Sequence, residues 1–432
     1  MPSGAHRCQH AGMSPDQHRP PSAPVVAPMG QERRQELLEH DQWVWSTTDD
    51  SIAPDEDYLG FEWDRLAGAE IDGRLAGVHS VFSLDMTVPD GDVPAAGLTW
   101  VGVHPQFRRR GVLRAMMEHH LAAVRERGTE PVSVLWAAEP GIYGRFGYGL
   151  ATYGLSMTLA RGADLVDVPG TQDLHVRFDN VDVERHTALL QNCYEAFRRT
   201  RPGAVSRGNL GRQQQLLSDP KAWRDGAERK KVLVVEDGAG NVRAAALFRR
   251  KEAWEPTGPA GTVRVSHATA LDPAAARVMW GRLSDLDLMA KVSTGPLATD
   301  DPLLFLLTDL RAAQVRLTDG LWVRVVDLPA ALSARRYTTD VDVVLEVSDA
   351  MCPDNAGRWR LVAGPDGAGC ERTSAPADLR LDDRALGAAY LGGRTLAALA
   401  GAGLVQADDP VVLDRASRAF GWHVAPYNGT GF

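Results

Sequence analysis

Cysteine is scarce in this chain: four among 432 residues, at Cys8, Cys193, Cys352 and Cys370. So few and so scattered, they exclude a disulfide framework or a cysteine-based zinc site, and they fit a reduced, cytoplasmic setting. No apolar run approaches the roughly 20 residues that a membrane-spanning helix needs. Residues 1–30 are rich in His, Pro, Gln and Ser and lack the apolar core of a secretory signal. They read as a disordered extension, with Met29 offering a later start. Positive charge is not in excess either, since 47 Lys and Arg stand against 56 Asp and Glu for a net charge of −9. That excludes general nucleic-acid binding, which needs a basic face, and suits a small cationic partner. There is no Gly-x-Ser-x-Gly turn and no cysteine beside a plausible base, so a covalent enzyme intermediate is not expected.

What is present is ordinary globular material, 44% hydrophobic and 24% charged, long enough for two or three domains. The most informative stretch runs from Leu98 to Val124. Leu98 to Val103 is short and β-prone, and Pro105 cannot continue a central ladder. Leu113, Met116, His120, Leu121 and Val124 then recur at helical spacing, so a helix starts near Gly111. Its first turn offers unpaired N–H groups and the positive end of a macrodipole. Arg108, Arg109, Arg110 and Arg114 add fixed charge, and Gly111 lets the backbone approach a bulky ligand closely. A pyrophosphate is the natural guest.

The run Arg109-Arg110-Gly111-Val112-Leu113-Arg114 resembles the acetyl-coenzyme A signature of GNAT acetyltransferases, Arg/Gln-x-x-Gly-x-Gly/Ala, without its second glycine position. Downstream, Val132 to Trp136 reads as a strand, and Ala137 to Gly149 follows as a glycine-punctuated turn containing Tyr143 and Tyr148. From Ala95 to Thr152 the chain resembles the enhanced intracellular survival (Eis) family of aminoglycoside N-acetyltransferases. Further blocks in the family's order, at residues 300–309, 319–332, 345–349 and 386–393, extend the resemblance to most of the chain. It implies an acetyl-CoA site at Val101, Gly102, Val103, Arg109, Arg110, Gly111, Val112, Leu113, Arg114, Ala138 and Glu139. It also implies an aminoglycoside acceptor, no metal, and assembly as a hexamer.

Acetyl transfer to an amine requires a deprotonated amine, donors for the oxyanion and a proton for the departing thiolate. Backbone N–H groups between Val101 and Val103 suit the second task, where the strand must splay to admit the donor. A tyrosine suits the third, being protonated at neutral pH. Tyr143 and Tyr148 compete for that place, and by position the family's general acid aligns with Tyr143. The resemblance assigns the base to a C-terminal carboxylate on a terminal aromatic, here Phe432. Trp63, Thr99, Trp100 and Trp136 are candidates for the acceptor pocket, since aromatic faces hold ammonium groups and sugar rings. The acids Asp49, Asp50, Asp55, Glu56 and Asp57 are either a pocket wall for a cation or a solvated loop. A polyamine or peptide acetyltransferase, or a non-catalytic acyl-CoA or lipid-binding module, would share much of this pattern.

The expected fold class is α/β to α+β in three blocks. Residues 31–160 hold the motifs above. Residues 161–315 repeat strand and helix, with Asp272-Pro273-Ala274-Ala275-Ala276 where the arginine loop would stand, and the resemblance implies a second GNAT-like domain in tandem with the first, without the cofactor. Residues 316–432 open on the strand from Gly320 to Asp327, and the resemblance implies a sterol-carrier-protein-like domain there.

Overall fold

The computed structural model describes residues 22–46 and 60–432; the five acids between Asp49 and Asp57 lie outside them. Strand β3 (Arg74–Val88) and strand β4 (Gly91–Val103) form a long hairpin at the centre of a seven-stranded sheet. Helix α2 (Val112–Arg127) carries the chain from β4 to β5 (Val132–Trp136), which runs parallel to β4. Val112, Met116, Met117, His120, Leu121 and Val124 form the buried stripe of α2, as the spacing predicts. On the other side of the hairpin come β2 (Ala67–Ile71) and the edge strand β1 (Val25–Pro28). Residues 25–28 were expected to be disordered and are paired instead, so a start at Met29 would remove an edge strand. Helix α1 (Arg34–Trp45) packs on β3 and β4.

The far edge of this sheet corrects the expected domain boundary. Strand β7 (Leu321–Val325) does not open the third block; it lies between β5 and the short β6 (Gly149–Leu150). Leu321, Val323, Arg324 and Val325 are all buried. A short apolar run of this kind fits any sheet interior, and only pairing with a strand far away in the chain decides which. Buried Arg324 also reaches into the third domain, where its guanidinium donates to both oxygens of Asp349 (2.6 and 2.8 Å).

The second sheet has six strands, ordered Thr158–Ala160, Met289–Ser293, Gly261–Ala270, Val242–Lys251, Lys231–Glu236, His175–Asn180. Thr158–Ala160 thus belongs here rather than to the first block. Gly261–Ala270, the helix Pro273–Ser284 and Met289–Ser293 repeat the β4–α2–β5 unit. In both copies the parallel strands pair over only three or four residues. β4 meets β5 through Ala95, Ala96 and Gly97, and the second copy meets its partner from Gly261 to Arg264. Beyond those residues each pair diverges and leaves a gap. The third sheet has five strands centred on Val341–Ser348 and is covered by helices that include Pro410–Phe420. Its core runs without a break into that of the first sheet, from Val78 and Phe82 to Leu345, Leu361 and Phe420.

Candidate active site

One cavity of about 1290 Å³ occupies the gap between β4 and β5. Thr99, Trp100, Val101, Gly102 and Val103 supply one wall from β4, and Trp136, Ala138, Glu139 and Tyr143 line it from the end of β5 onward. Arg109 and Gly111 through Arg114 border the end nearest α2, and Phe432 reaches in from the C-terminal tail.

The α2 end offers free backbone donors and positive charge. Gly111 sits at φ +81°, where a residue with a Cβ would be strained, and no side chain caps the helix. The first N–H to bond back is that of Ala115, to the Gly111 carbonyl (3.0 Å), so the N–H groups before it are available to a ligand. Among the described residues, Arg108 and Arg109 form no ion pair, while Arg114 meets only Glu118, both largely exposed. Arg110 departs from expectation: it does not line the cavity, and its guanidinium lies over the Phe107 ring, 5.5 Å from the centroid.

The middle of the cavity depends on a break in β4. Between its pairs Ser80↔Thr99 and Val78↔Gly102 with β3, two residues of β4, Trp100 and Val101, stand against the single residue His79, and Trp100 adopts φ +54°. This bulge re-aims the strand end, and β5 has already left its side, so the backbone from Val101 onward faces the gap without a partner strand. Gly102 is required by packing: a Cβ there would stand 2.9 Å from a methyl of Val44 on α1. His40, one turn earlier on α1, places Nε2 3.4 Å from the Gly102 carbonyl. Burial lowers the His40 pKa to about 4, so it is neutral at pH 7 and donates to that carbonyl.

The two tyrosines separate clearly. Tyr143 borders the cavity, and burial, with the nearby Glu139 charge second, pushes its pKa up to about 12. Tyr148 is fully enclosed, its hydroxyl 2.7 Å from Ser133 Oγ, which in turn lies 2.8 Å from His120 Nε2.

On the same wall, Trp100 donates its indole N–H to Asp41 Oδ2 (2.8 Å), and both residues line the cavity. Asp41 was not singled out from the sequence, although Leu37, Asp41 and Val44 share one helical face, which should have drawn attention to an acid there. Trp223, from the central domain, also reaches this cavity and carries no local signal. Trp63 does not line it. It packs edge-on against Phe61 (4.9 Å between centroids), which itself packs on Trp100 (5.2 Å). Trp136 has a second task, donating its indole N–H to the Thr430 carbonyl (3.1 Å) and so fastening the tail. Among the described residues no group of three or more potential ligands could hold a metal ion, and no helix is long and apolar enough to cross a membrane.

The gap between two diverging parallel strands, the uncapped basic helix start and the tyrosine at the cavity wall, Tyr143, fit acetyl-CoA, the donor that GNAT domains use. Residues 26–151 match the family of acetyltransferase (GNAT) domains, residues 203–325 a second GNAT family, and residues 328–429 the sterol carrier protein domain. An uncharacterized N-acetyltransferase of Streptomyces coelicolor is 43% identical over 375 residues, 86% of this chain and 88% of its own length. The N-acetyltransferase Eis of Mycobacterium tuberculosis is 36% identical over 363 residues, 82% of this chain and 85% of its own. Among solved structures, Eis1 from Mycobacterium abscessus superposes with a TM-score of 0.78 at 31% identity, over 94% of this chain and 100% of its own. A GCN5-related N-acetyltransferase from Anabaena variabilis, at 20% identity and a TM-score of 0.81, shares the fold. The chain therefore belongs to the Eis family of GNAT N-acetyltransferases.

Proposed function

We propose that this enzyme moves the acetyl group of acetyl-CoA directly to an amine of a small cationic acceptor of the aminoglycoside class. The observation that carries this reading is that one cavity is lined by the arginine-rich start of α2, by Tyr143, by the hydrogen-bonded pair Asp41 and Trp100, and by Phe432. A carboxylate among indole rings favours ammonium groups and the faces of amino sugars. The relatives named Eis support the same class of chemistry.

In this reading Arg109, Arg114 and the α2 N–H groups hold the pyrophosphate. Acetyl-CoA supplies an acyl group already activated as a thioester. Backbone N–H groups from Val101 to Val103 face the carbonyl oxygen as negative charge builds on it. Tyr143 keeps its proton through the neutral range and gives it up at the hydroxyl to the departing sulfur, whose own basicity rises in the same dry setting. Phe432 brings its main-chain carboxylate to the acceptor amine, as base directly or through water. No nucleophilic side chain is needed.

The test is a thiol-release assay with a panel of aminoglycosides, linear polyamines and lysine peptides. Turnover is expected with aminoglycosides. Turnover confined to peptides or polyamines would overturn the acceptor class, and acetyl-CoA binding without thiol release on any amine would mark a sensor instead.

A further inference from the structure

The second β–α–β unit opens the same kind of gap as the first, but its surroundings are different. Asp272 caps its helix, with Oδ1 accepting from the Ala275 N–H (2.8 Å), and Oδ2 pairs with Arg243 (2.8 Å). A carboxylate thus already occupies the position at which the first copy offers bare N–H groups to phosphate. The strand Gly261–Ala270 also slips register between Val265 and His267, matching the break in β4. Beyond it, between Ser266 to Thr269 and Gly295 to Leu297, only a cavity of about 10 Å³ remains. Tyr194 and Phe197 close it from the helix Val183–Arg198, and Tyr427 and Gly429 close it from the chain's own tail.

Tyr427 is the plug. Its ring lies edge-on to Phe197 (6.4 Å), its hydroxyl donates to the Pro296 carbonyl (2.5 Å), and its N–H donates to the Pro202 carbonyl (2.8 Å). Just before it, Ala425 is pinned at both ends, its N–H to Asp300 (2.9 Å) and its carbonyl to Arg201 (2.7 Å). Just after it, the Asn428 side chain accepts from the Thr430 N–H (3.2 Å) and donates to the Thr430 carbonyl (2.9 Å), which tightens the turn. Arg212 then holds the Gly431 carbonyl (3.0 Å), and Phe432 enters the acetyl-transfer cavity.

We propose that the gap of the central domain, the counterpart of the acetyl-CoA cleft, serves as a socket for the tail, and that Tyr427 is the positioning residue that sets Phe432 in the active cavity. The inference rests on the reading that Phe432 acts in acetyl transfer. Only a few residues separate plug and terminal aromatic, and the turn at Asn428 leaves that span little slack. A loosened plug therefore shifts Phe432, and a misplacement of 1 Å can cost about 10² in rate.

The experiment compares Tyr427→Phe, Tyr427→Ala and Asn428→Ala in the full chain and in a chain lacking Phe432. Readouts are acetyl-CoA affinity by calorimetry, and kcat and acceptor KM by thiol release. Tyr427→Ala is expected to lower kcat/KM for the acceptor at least about 10-fold with acetyl-CoA affinity unchanged, and Tyr427→Phe, which keeps the ring, should restore most of it. Asn428→Ala, which leaves the plug in place, should move the same parameters less and serves if Tyr427→Ala does not fold. Once Phe432 is deleted, none of these changes should lower activity further. Equal losses with and without Phe432 would overturn the inference, as would full activity of Tyr427→Ala or, where that variant does not fold, of Asn428→Ala. If removing Phe432 alone costs nothing, it is the underlying reading of Phe432 that fails, and the inference falls with it.

Discussion

The rings of Tyr143 and Tyr148 meet edge to face, 6.0 Å between centroids, yet only Tyr143 borders the cavity. Tyr148 spends its hydroxyl on Ser133 inside the core. Two neighbouring phenols in one glycine-rich turn thus divide into one that can meet a substrate and one that cannot. Tyr143→Phe should lower kcat by about 10² or more and leave acetyl-CoA affinity nearly intact, since general-acid assistance is worth about 10² to 10⁴. Tyr148→Phe should instead lower the melting temperature, because Ser133 loses one buried partner while keeping His120 and the Ala96 carbonyl, at a cost of about 1 kcal/mol. Steady-state kinetics and calorimetric melts on the two variants check this, and a reversed pattern would exchange their roles.

The start of α2 yields a second expectation. Replacing Arg109 and Arg114 together with Ala should weaken acetyl-CoA binding by a few kcal/mol, with each charge-assisted hydrogen bond to phosphate worth about 1.5–3 kcal/mol. The helix N–H groups remain, so binding should persist in weakened form and depend less steeply on salt. Titration calorimetry at two ionic strengths is the measurement, and unchanged affinity would place the pyrophosphate elsewhere.

The strand, basic turn and helix of the candidate anion site were legible in the sequence because everything that makes them is local: a β-prone run, a basic turn, a glycine at positive φ and an amphipathic helix follow one another directly. Tyr143 and Phe432 were legible only through family resemblance, since nothing in either neighbourhood shows that the fold brings them from distant parts of the chain to one cavity. The strand Leu321–Val325 was recognised as a strand but placed in the wrong domain, because a run buried on both faces carries no mark of its partners. Trp63 was misjudged for the opposite reason: an aromatic beside a plausible pocket is just as well a ring that backs the pocket wall. Asp41 was missed because α1 has only a weak apolar stripe, so the buried face that would have exposed an acid out of place was not recognised.

Acid sensitivity follows from the histidines under the first sheet. Burial lowers the His79 pKa to about 3, and it holds His120 well down too, with His79 as its second cause. Below the ordinary value of about 6.5 the unfolded chain binds protons that the folded one refuses, so stability falls as pH falls from about 6.5 towards 3. For His79 alone the loss between pH 6.5 and pH 5 is about 2 kcal/mol. His79→Phe, similar in shape and without the unpartnered Nδ1, should flatten that limb. Melting temperatures at pH 5, 6 and 7.5 decide it, and equal slopes in both proteins would assign the acid limb to other groups.

Phe432 gives the last prediction, and it separates position from side-chain identity. The ring packs on the edge of the largest core while the residue lines the cavity, and the carbonyls just before it are held by Trp136 and Arg212. If the main-chain carboxylate meets the acceptor amine, adding a few residues after Phe432 removes the charge from that point, although every tail hydrogen bond up to Gly431 can persist. Activity should then fall by about 10² or more, the scale expected when a reacting group is displaced. Phe432→Tyr keeps both the ring and the carboxylate and should be mild. An extension ending in a protease site close behind Phe432 allows the carboxylate to be restored in the same sample, so recovery of kcat/KM on cleavage would tie the loss to that group. Full activity before cleavage would show that the tail serves the cavity through its ring alone, or not at all.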